Sequence, residues 1–460
     1  MVELAEVSRA MVIGLGASGR AAAAALANHG IAVVAVDDDP DVPRGDLADA
    51  VQLHPGHSGV GLLDGIDLVV PSPGIPEHAA VLAQAARAGV DIWSEPELAW
   101  RLAPRRMVAI TGTNGKTSTT ELTTAMLVAD GQDALACGNI GTPLVIAAPR
   151  SAPGATLVAE LSSFQLRHAH QLRPIVGAVL NLAEDHLDWH GSRASYVAAK
   201  QRLWQAQGDD DWAVVNADDV TTLAMAAEGA RGKVAVFSGR RLPGQGDQGL
   251  TCSVQTGVGV RDGKLISTIA VARGTILSLD DLPLTAPHHV ANVAAAAAVA
   301  ILAGAAHEAI AQAAKAYRPG RHRMEIVASA HGITWMNDSK ATNPHAASAA
   351  LDGVGSAVWI AGGLAKGVDL RPLGEHLSRV RHALLIGEAA PALAMICAAH
   401  GIAAETMESV EAACARAAAL AQDGDTVLLA PACASFDQFR DYAERGERFA
   451  AAARLAATTT

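Results

Sequence analysis

Short apolar runs alternate with alanine-rich stretches along most of the chain. The runs are bounded by Gly or Pro and are rich in Val, Ile and Leu, as buried strands are. The stretches between them have the length and composition of helices, and this alternation is typical of α/β folds with parallel sheets. The predicted strands are AMVIG, VVAV, DLVV, MVAIT, TLVAE, VGAVLN, AVVN, VAVF, AVWIAG, ALLIG and TVLLA.

Two charged, proline-containing stretches interrupt this pattern. They are APRRM (Ala103–Met107) and YRPGRHR (Tyr317–Arg323). A chain of 460 residues is too long for one core, because domains usually contain about 100–200 residues. The sequence therefore predicts three domains, which comprise residues 1–104, 105–319 and 320–460.

The second predicted domain contains two further features. Residues 238–249 are polar and are predicted to form a surface excursion. Residues 250–279 alternate between apolar and polar positions, as the strands of a β-meander do.

Composition and charge exclude several classes of partner. The chain has 35 Lys and Arg against 47 Asp and Glu, without a basic run, so no nucleic acid is expected as a partner. The start of the chain lacks a secretory signal, and the most apolar stretch, Val293–Ala306, is too short to cross about 30 Å of hydrocarbon. We therefore expect a cytoplasmic protein without membrane insertion. The cysteines form no CxxC pair and are interpreted as buried, reduced thiols: Cys137, Cys252, Cys397, Cys414 and Cys433.

The stretch ITGTNGKTS lies between a predicted strand and a predicted helix. Backbone N–H groups of a glycine turn that opens a helix form a site for phosphate oxygens. Lys116 would reach the phosphates, and the Thr117 hydroxyl would ligate Mg²⁺. The spacing G-x-x-G-K-T is shorter than the usual motif, and the alternative is a glycine turn with one exposed lysine. The order of strand, loop, Lys, Thr and helix favours a P-loop NTPase-like central domain.

Acidic and histidine residues follow two later strands of the same predicted domain. Glu160 ends TLVAE, and the loop NLAEDHLDWH follows VGAVLN. The carboxyl ends of parallel strands line one crevice, so these residues are expected to face the phosphate loop. Mg²⁺ prefers oxygen ligands, and the pattern predicts a magnesium site, with a solvated acidic loop as the alternative. The side chains of this loop that could bind an ion are Glu184, Asp185, His186, Asp188 and His190.

A second glycine turn, GLGASG, lies near the start of the chain. It follows AMVIG and opens an alanine-rich stretch, and Asp37 ends the next strand. This is the dinucleotide fingerprint of a Rossmann-like domain, and taken alone it predicts an NAD-dependent oxidoreductase. The same backbone geometry can hold any diphosphate, so the alternative is another diphosphate ligand.

Seven motifs occur in order over nearly the whole chain: TGTNGKTS, GNIGTP, AELSSFQL, NLAEDHLDWH, YVAAKQRLW, NDSKATN and PACASFDQF. Together they resemble the Mur ligase family. The resemblance implies that ATP phosphorylates the carboxylate of UDP-N-acetylmuramoyl-L-alanine, and that the amine of D-glutamate then displaces phosphate to form an amide. It also implies two Mg²⁺ ions and a Rossmann-like third domain that binds D-glutamate. The phosphates of ATP and the carboxylate of the substrate are both anions, and they can approach each other only when cations neutralise their charge.

The resemblance also assigns site residues. Those implied for ATP are Gly112, Thr113, Asn114, Gly115, Lys116, Thr117, Ser118, Asn292, Arg323, Asp338 and Lys340, and those for the UDP substrate are Gly16, Ser18, Asp37, Ser72, Gly74, Asn139 and His186. Those implied for D-glutamate are Thr342, Lys366, Ser435 and Tyr442, and those for the metal ions are Thr117, Glu160, His186 and Lys200. Lys116, Glu160, His186 and Lys200 are the implied catalytic residues.

Lysines are rare in this chain, and four of them are among the implied site residues. Only seven lysines occur among 35 basic residues. By resemblance, Lys200 of YVAAK reacts with CO₂ to give a carbamate that ligates the second Mg²⁺, whereas the alternative is a lysine on a helix surface. An arginine could not form this carbamate, which agrees with a lysine at this position.

Three positions depart from the pattern of the family. His289 stands where Asn is usual, Tyr442 where Phe is expected beside D-glutamate, and Asp39 where a basic residue commonly meets the UDP phosphates. The alternatives to a D-glutamate ligase are a sibling ligase for another amino acid, an NAD-dependent oxidoreductase and an NTP-driven binding switch. The absence of a D-N-P-R signature argues against the diaminopimelate- or lysine-adding sibling. A monomer is expected.

Overall fold

A computed structural model describes residues 2–244 and 255–459, which form three β-sheets. The first sheet has the order β3-β2-β1-β4-β5, and its strands pair in parallel. Its central strand β1 is apolar and buried along most of its length, because helices cover both faces of a parallel sheet. The elements are β1 (Arg9–Ile13), α1 (Ala17–Asn28), β2 (Ala32–Asp37), β3 (Gln52–Pro55), β4 (Leu68–Pro71), α2 (Ala80–Ala88), β5 (Asp91–Ile92) and α3 (Glu95–Leu102).

The second sheet has nine strands, which are β6 to β14. The first part of the sheet comprises β6 (Met107–Thr111), α4 (Lys116–Ala129), β7 (Ala134–Gly138), α5 (Leu144–Arg150), β8 (Thr156–Glu160), α6 (Ser163–Leu166), β9 (Val176–Val179), α7 (Leu187–His190) and α8 (Arg193–Gln201). The remainder comprises β10 (Trp212–Asn216), α9 (Val220–Gly229), β11 (Lys233–Phe237), β12 (Gly257–Arg261), β13 (Lys264–Ser267), β14 (Gly274–Ser278), α10 (Pro287–Leu302) and α11 (His307–Ala316).

The order of this sheet is β14-β13-β12-β11-β10-β9-β6-β8-β7. Strand β6 lies between β9 and β8, and all of its residues are buried. Strands β12, β13 and β14 pair antiparallel, which confirms the predicted meander within the described residues. Residues 245–254 are outside the described part of the chain. They include Cys252, part of the predicted polar excursion and the start of the predicted meander segment.

The third sheet has the order β15-β16-β20-β17-β18-β19. Its strands pair in parallel except for the hairpin β15–β16. Neither strand of this hairpin is among the apolar runs that predicted strands. The elements are β15 (Glu325–Ala330), β16 (Ile333–Asn337), α12 (Pro344–Asp352), β17 (Ala357–Gly362), β18 (Val380–Ile386), α13 (Ala390–Ala399), β19 (Ala403–Thr406), α14 (Val410–Leu420), β20 (Thr426–Leu429) and α15 (Tyr442–Thr459).

The chain divides into two compact units. The first comprises the chain through Leu182, Trp189–Leu282 and Ala291–Ala316, and it contains the first two sheets. The second comprises Ala183–Asp188, Pro283–Val290 and the chain from Tyr317 onwards, and it contains the third sheet. The α/β prediction with mainly parallel sheets is confirmed, whereas the boundaries at 104 and 319 stay predictions. None of the described helices is both long and apolar enough to cross a membrane.

Candidate active site

The glycine turn after β6 opens helix α4 as the sequence predicted. Gly115 caps the helix with a left-handed backbone at φ 82°, a conformation that residues with a Cβ rarely adopt. A Cβ atom at Gly115 would lie 2.4 Å from Oδ1 of Asn292. Because this distance is far below van der Waals contact, the turn and Asn292 can approach only with glycine. The structure therefore places Asn292, a predicted ATP contact, against the loop.

Asn181 holds the loop from the next strand. Its side-chain oxygen accepts from the Asn114 N–H at 2.8 Å, and its amide nitrogen donates to the Asn114 carbonyl at 3.0 Å. Its backbone carbonyl accepts from the Thr113 N–H at 3.0 Å. The sequence had assigned Asn181 no role, although it ends the predicted strand VGAVLN, where side chains reach the crevice.

Lys116 and Lys200 both contact the carbonyl oxygen of Gly112. The Lys116 Nζ donates to the Gly112 and Thr113 carbonyls at 2.9 Å, and the Lys200 Nζ donates to the Gly112 carbonyl at the same distance. Lys200 lies on α8 and donates also to the Thr111 hydroxyl at 3.2 Å. Two lysine side chains from distant segments thus reach the same turn.

Lys200 is buried, so it is not a lysine on the helix surface. Its exposure is 1%, and its Nζ lies 4.8 Å from the ring centroid of Tyr196. The Tyr196 hydroxyl lies 2.8 Å from the Thr113 hydroxyl oxygen, which connects α8 to the phosphate loop a second time. Of the remaining loop residues, Thr117 is half-buried and Ser118 is buried.

Glu160 lies at the end of β8, beside the strand that leads into the loop. It is 2% exposed, and one carboxylate oxygen accepts from the Asn139 side-chain amide at 2.7 Å. The other oxygen, Oε2, is buried and has no hydrogen-bond partner. An unpartnered buried carboxylate oxygen is costly, and it has the chemistry of a Mg²⁺ ligand. The structure thus brings together two predicted residues, Asn139 and Glu160.

His186 belongs to the second compact unit. Its backbone is left-handed at φ 54°, and its side chain is 42% exposed with Nε2 3.7 Å from Asp185. Asp185 also accepts from the His186 N–H at 3.0 Å and from the Asn343 side-chain amide at 3.1 Å. The Asp188 side chain is outside the described residues. Within the described ranges, no three His, Cys, Asp or Glu residues group so as to hold a metal ion.

The predicted UDP-substrate turn is tightly built at the carboxyl ends of β1, β2 and β4. The Ser72 hydroxyl donates to the Gly14 carbonyl at 2.7 Å, and the Asp37 carboxylate accepts from the Leu15 N–H at 2.6 Å. A Cβ atom at Gly19 would lie 1.9 Å from the Gly14 carbonyl oxygen, so only glycine fits there. The structure thereby brings Asp37 and Ser72 to the same glycine turn.

The other predicted residues of this turn lie at its surface. Gly16, Gly74 and Asp39 are exposed, and Ser18 is half-buried. The Asp39 N–H donates to the Asp37 carboxylate at 3.0 Å. Asp39 is therefore an exposed residue whose backbone is tied to Asp37.

The third sheet carries the residues predicted for D-glutamate. Ser435 is 2% exposed and follows β20, while Thr342 is half-buried after β16. Lys366 has a left-handed backbone at φ 51°, and its Nζ lies 5.0 Å from the ring centroid of Phe436. Tyr442 begins α15, and Lys340 lies over its ring.

The predicted nucleotide contacts of this unit lie in the segments before and after the hairpin β15–β16. Asp338 is half-buried and accepts from the Met324 N–H at 3.2 Å. Burial raises the pKa of its carboxyl to about 7, against the lowering effect of that hydrogen bond and of the charge of Arg323. His289 is 3% exposed, and burial lowers the pKa of its imidazole to about 4. At neutral pH the ring of His289, which stands where the family usually has Asn, is therefore uncharged.

Arg445 is a buried residue that the sequence gave no reason to single out. It is fully buried on α15, and its guanidinium donates to the Ser339 hydroxyl and carbonyl at 3.0 Å and to the Cys433 carbonyl at 3.1 Å. Burial lowers its pKa to about 10, which still leaves it charged at neutral pH. One cation thus joins the segments that carry Lys340 and Ser435.

Three family models match the chain in order. The model described as Mur ligase MurD-like, N-terminal domain, matches residues 8–94, the Mur ligase middle domain matches 110–300, and the Mur ligase glutamate ligase domain matches 322–433. A protein of Frankia casuarinae named UDP-N-acetylmuramoylalanine--D-glutamate ligase is 46% identical, over 96% of this chain and 93% of its own length. A protein of Mycobacterium avium with the same name is 42% identical, over 97% of this chain and 96% of its own length.

Solved structures show the same fold at low sequence identity. A pseudomurein peptide ligase type C from Methanothermus fervidus matches with a TM-score of 0.57 and 19% identity, over 92% of this chain and 96% of that one. The UDP-N-acetylmuramate-alanine ligase MurC from Thermotoga maritima matches with a TM-score of 0.55 and 16% identity, over 98% of this chain and 100% of that one.

Proposed function

This chain belongs to the Mur ligase family, and we propose that it joins D-glutamate to UDP-N-acetylmuramoyl-L-alanine at the expense of ATP. The proposal rests on the relatives of this name, which match the chain over nearly its full length. The observation that carries the chemistry is that Lys116 and Lys200 both contact the Gly112 carbonyl, while Glu160 ends the strand β8 that pairs with β6 before the glycine turn. A peptidoglycan precursor would be the product, and ADP and phosphate would be released.

The phosphate loop would bind ATP through its backbone N–H groups and Lys116. The turn is pre-formed by Gly115 and held by Asn181, so few backbone torsions need to be fixed when the nucleotide binds. Fixed donors stabilise charge as it develops on a transferring phosphoryl group, which is the main demand of this reaction. The Lys116 ammonium would exchange its present carbonyl contacts for phosphate oxygens.

Glu160 and Thr117 would hold a Mg²⁺ ion. The unpartnered Oε2 atom of Glu160 fits a cation, and Asn139 fixes the orientation of the carboxylate through the other oxygen. When bound, Mg²⁺ neutralises phosphate charge and polarises the phosphoryl oxygens. The assignment of His186 to a second ion stays a prediction.

Lys200 would carry a carbamate. Its neutral amine would add to CO₂ and lose a proton, and the carbamate nitrogen would keep one N–H for the Gly112 carbonyl. The side chain is buried beside the loop, and burial favours the neutral amine that reacts with CO₂. The resulting anion would be a ligand for the second Mg²⁺.

The third sheet would supply the amino-acid site. Lys366 and Ser435 provide a cation and a hydroxyl, which suit the two carboxylates of D-glutamate. The amine would then attack the acyl phosphate, release phosphate and form the amide. In the first sheet, the turn that contains Asp37 and Ser72 would bind the UDP portion of the precursor.

A substrate-omission assay of phosphate release tests the proposal. We expect release only when ATP, Mg²⁺, UDP-N-acetylmuramoyl-L-alanine and D-glutamate are all present, and no requirement for NAD. Equal turnover with L-glutamate, or release without any amino acid, would refute the proposed function. The second outcome would favour an NTP-driven switch, and turnover with another amino acid would favour a sibling ligase.

A further inference from the structure

The ammonium of Lys340 lies over the ring of Tyr442 in the third sheet's unit. Its Nζ is 3.7 Å from the ring centroid, against 5.0 Å for Lys366 and Phe436. Such a distance allows a cation–π contact, because the face of an aromatic ring carries negative potential. Tyr442 is half-buried and is the first residue of α15.

The backbones that carry these two side chains are tied together. Ser339 is fully buried, and its hydroxyl donates to the Tyr442 carbonyl at 2.8 Å. The Lys340 N–H donates to the His322 carbonyl at 3.1 Å, and the Arg445 guanidinium donates to the Ser339 carbonyl. Because both backbones are fixed, the Tyr442 ring is a built support under the Lys340 side chain and not a chance surface contact.

We propose that Tyr442 is a positioning residue, whose ring orients the Lys340 ammonium for the ATP phosphates before the nucleotide binds. The inference rests on the proposed function and on the family resemblance, which implies Lys340 as one of the residues that bind ATP. A lysine stem has much rotamer freedom, and part of it is lost on binding unless the side chain is already held. The contact uses only the face of the ring, so Phe would serve as well as Tyr. This accounts for the tolerance of Tyr at a position where Phe is expected.

A double-mutant cycle tests this role through the affinity for ATP. The dissociation constant of Mg-ATP is measured calorimetrically, without amino acid or precursor, for Tyr442→Phe, Tyr442→Leu, Lys340→Met and the Leu/Met double variant. Tyr442→Leu should weaken binding by about 3- to 30-fold, whereas Tyr442→Phe should stay within about twofold. In the Lys340→Met background, Tyr442→Leu should have no further effect. An equal loss in both backgrounds, or unchanged affinity in Tyr442→Leu, overturns the proposal.

A second measurement does not depend on nucleotide binding. Only seven lysines occur in the chain, so the ε-methylene signals of ¹³C-lysine-labelled protein can be resolved by NMR. The Lys340 signal should be shifted upfield by the ring current, retained in Tyr442→Phe and lost in Tyr442→Leu. A protein that shows this shift but binds no ATP refutes the proposed function. A protein that binds ATP without this shift overturns the positioning role.

Discussion

Replacement of Glu160 by Gln should change stability and activity in opposite directions. The two side chains have the same shape, and the Gln oxygen can still accept from the Asn139 amide that lies 2.7 Å from Glu160. The change removes the negative charge and places a neutral NH₂ group where the unpartnered Oε2 lies. In the proposed site that charge binds Mg²⁺, whereas in the absence of a cation it is buried with one oxygen unpartnered.

The magnitudes follow from this environment. A buried polar group without a partner costs about 1–3 kcal/mol, and more when it is charged. The Gln amide nitrogen is also unpartnered there, so the ligand-free Glu160→Gln variant gains only the difference between the two costs and should be more stable than the unaltered protein by on the order of 1 kcal/mol. Turnover should fall by a factor of at least about 10²–10³, as it does when one preorganised group that stabilises the charge of a transition state is removed.

Urea unfolding in the presence of a chelator measures the first effect, and phosphate release measures the second. Mg-ATP at 100 times its dissociation constant should stabilise the unaltered protein by about 2.7 kcal/mol, and Glu160→Gln should lose most of this gain. Glu228→Gln, an exposed substitution on α9 of the same unit, should change neither quantity. A ligand-free variant that is less stable than the unaltered protein would show that Glu160 is a satisfied structural acceptor, and the reasoning would be refuted.

Three further predictions concern buried and basic side chains. Lys116→Ala should reduce turnover by at least about 10²–10³-fold but leave precursor binding intact, as measured by calorimetry with a substitution of the exposed Lys264 on β13, Lys264→Ala, as the control. Loss of precursor binding would contradict the division of roles. Lys200→Ala and Lys200→Arg should both be nearly inactive, and a small carboxylate should restore part of the rate of the Ala variant; an active Arg variant would show that the carbamate is unnecessary. Glu95 is 2% exposed, and burial raises the pKa of its carboxyl from 4.5 to about 7. The folded state therefore binds the proton more tightly than the unfolded chain does, and the stability of the protein falls as pH rises from about 4.5 to about 7. Urea unfolding should find Glu95→Gln more stable than the unaltered protein at pH 8 and not at pH 4; equal differences at both values would refute the raised pKa.

Several features of this protein follow from short stretches of sequence. The glycine loop, the start of α4 and the predicted strands need only local rules, because the conformational preference of Gly115 and the apolar pattern of MVAIT act within a few residues. The family resemblance also rests on short motifs, and it implied the site residues that the proposed function uses. The hairpin strand β15 was not predicted, since it is half-exposed and lacks a continuous apolar run.

Only the tertiary structure decided which of these residues meet. Lys200 reaches the Gly112 carbonyl across 88 positions of the chain, and Arg445 reaches Ser339 across 106. Asn181 and Arg445 gave no local signal, because a hydrogen bond between distant segments depends on the order of strands in the sheet and on the packing of helices over it. The unpartnered oxygen of Glu160 is likewise visible only once neighbouring strands exclude water from it. The sequence by itself determined the type and order of most of the elements, since these depend on preferences within one element. The charge, burial and contacts of the site depend on segments that only folding brings together.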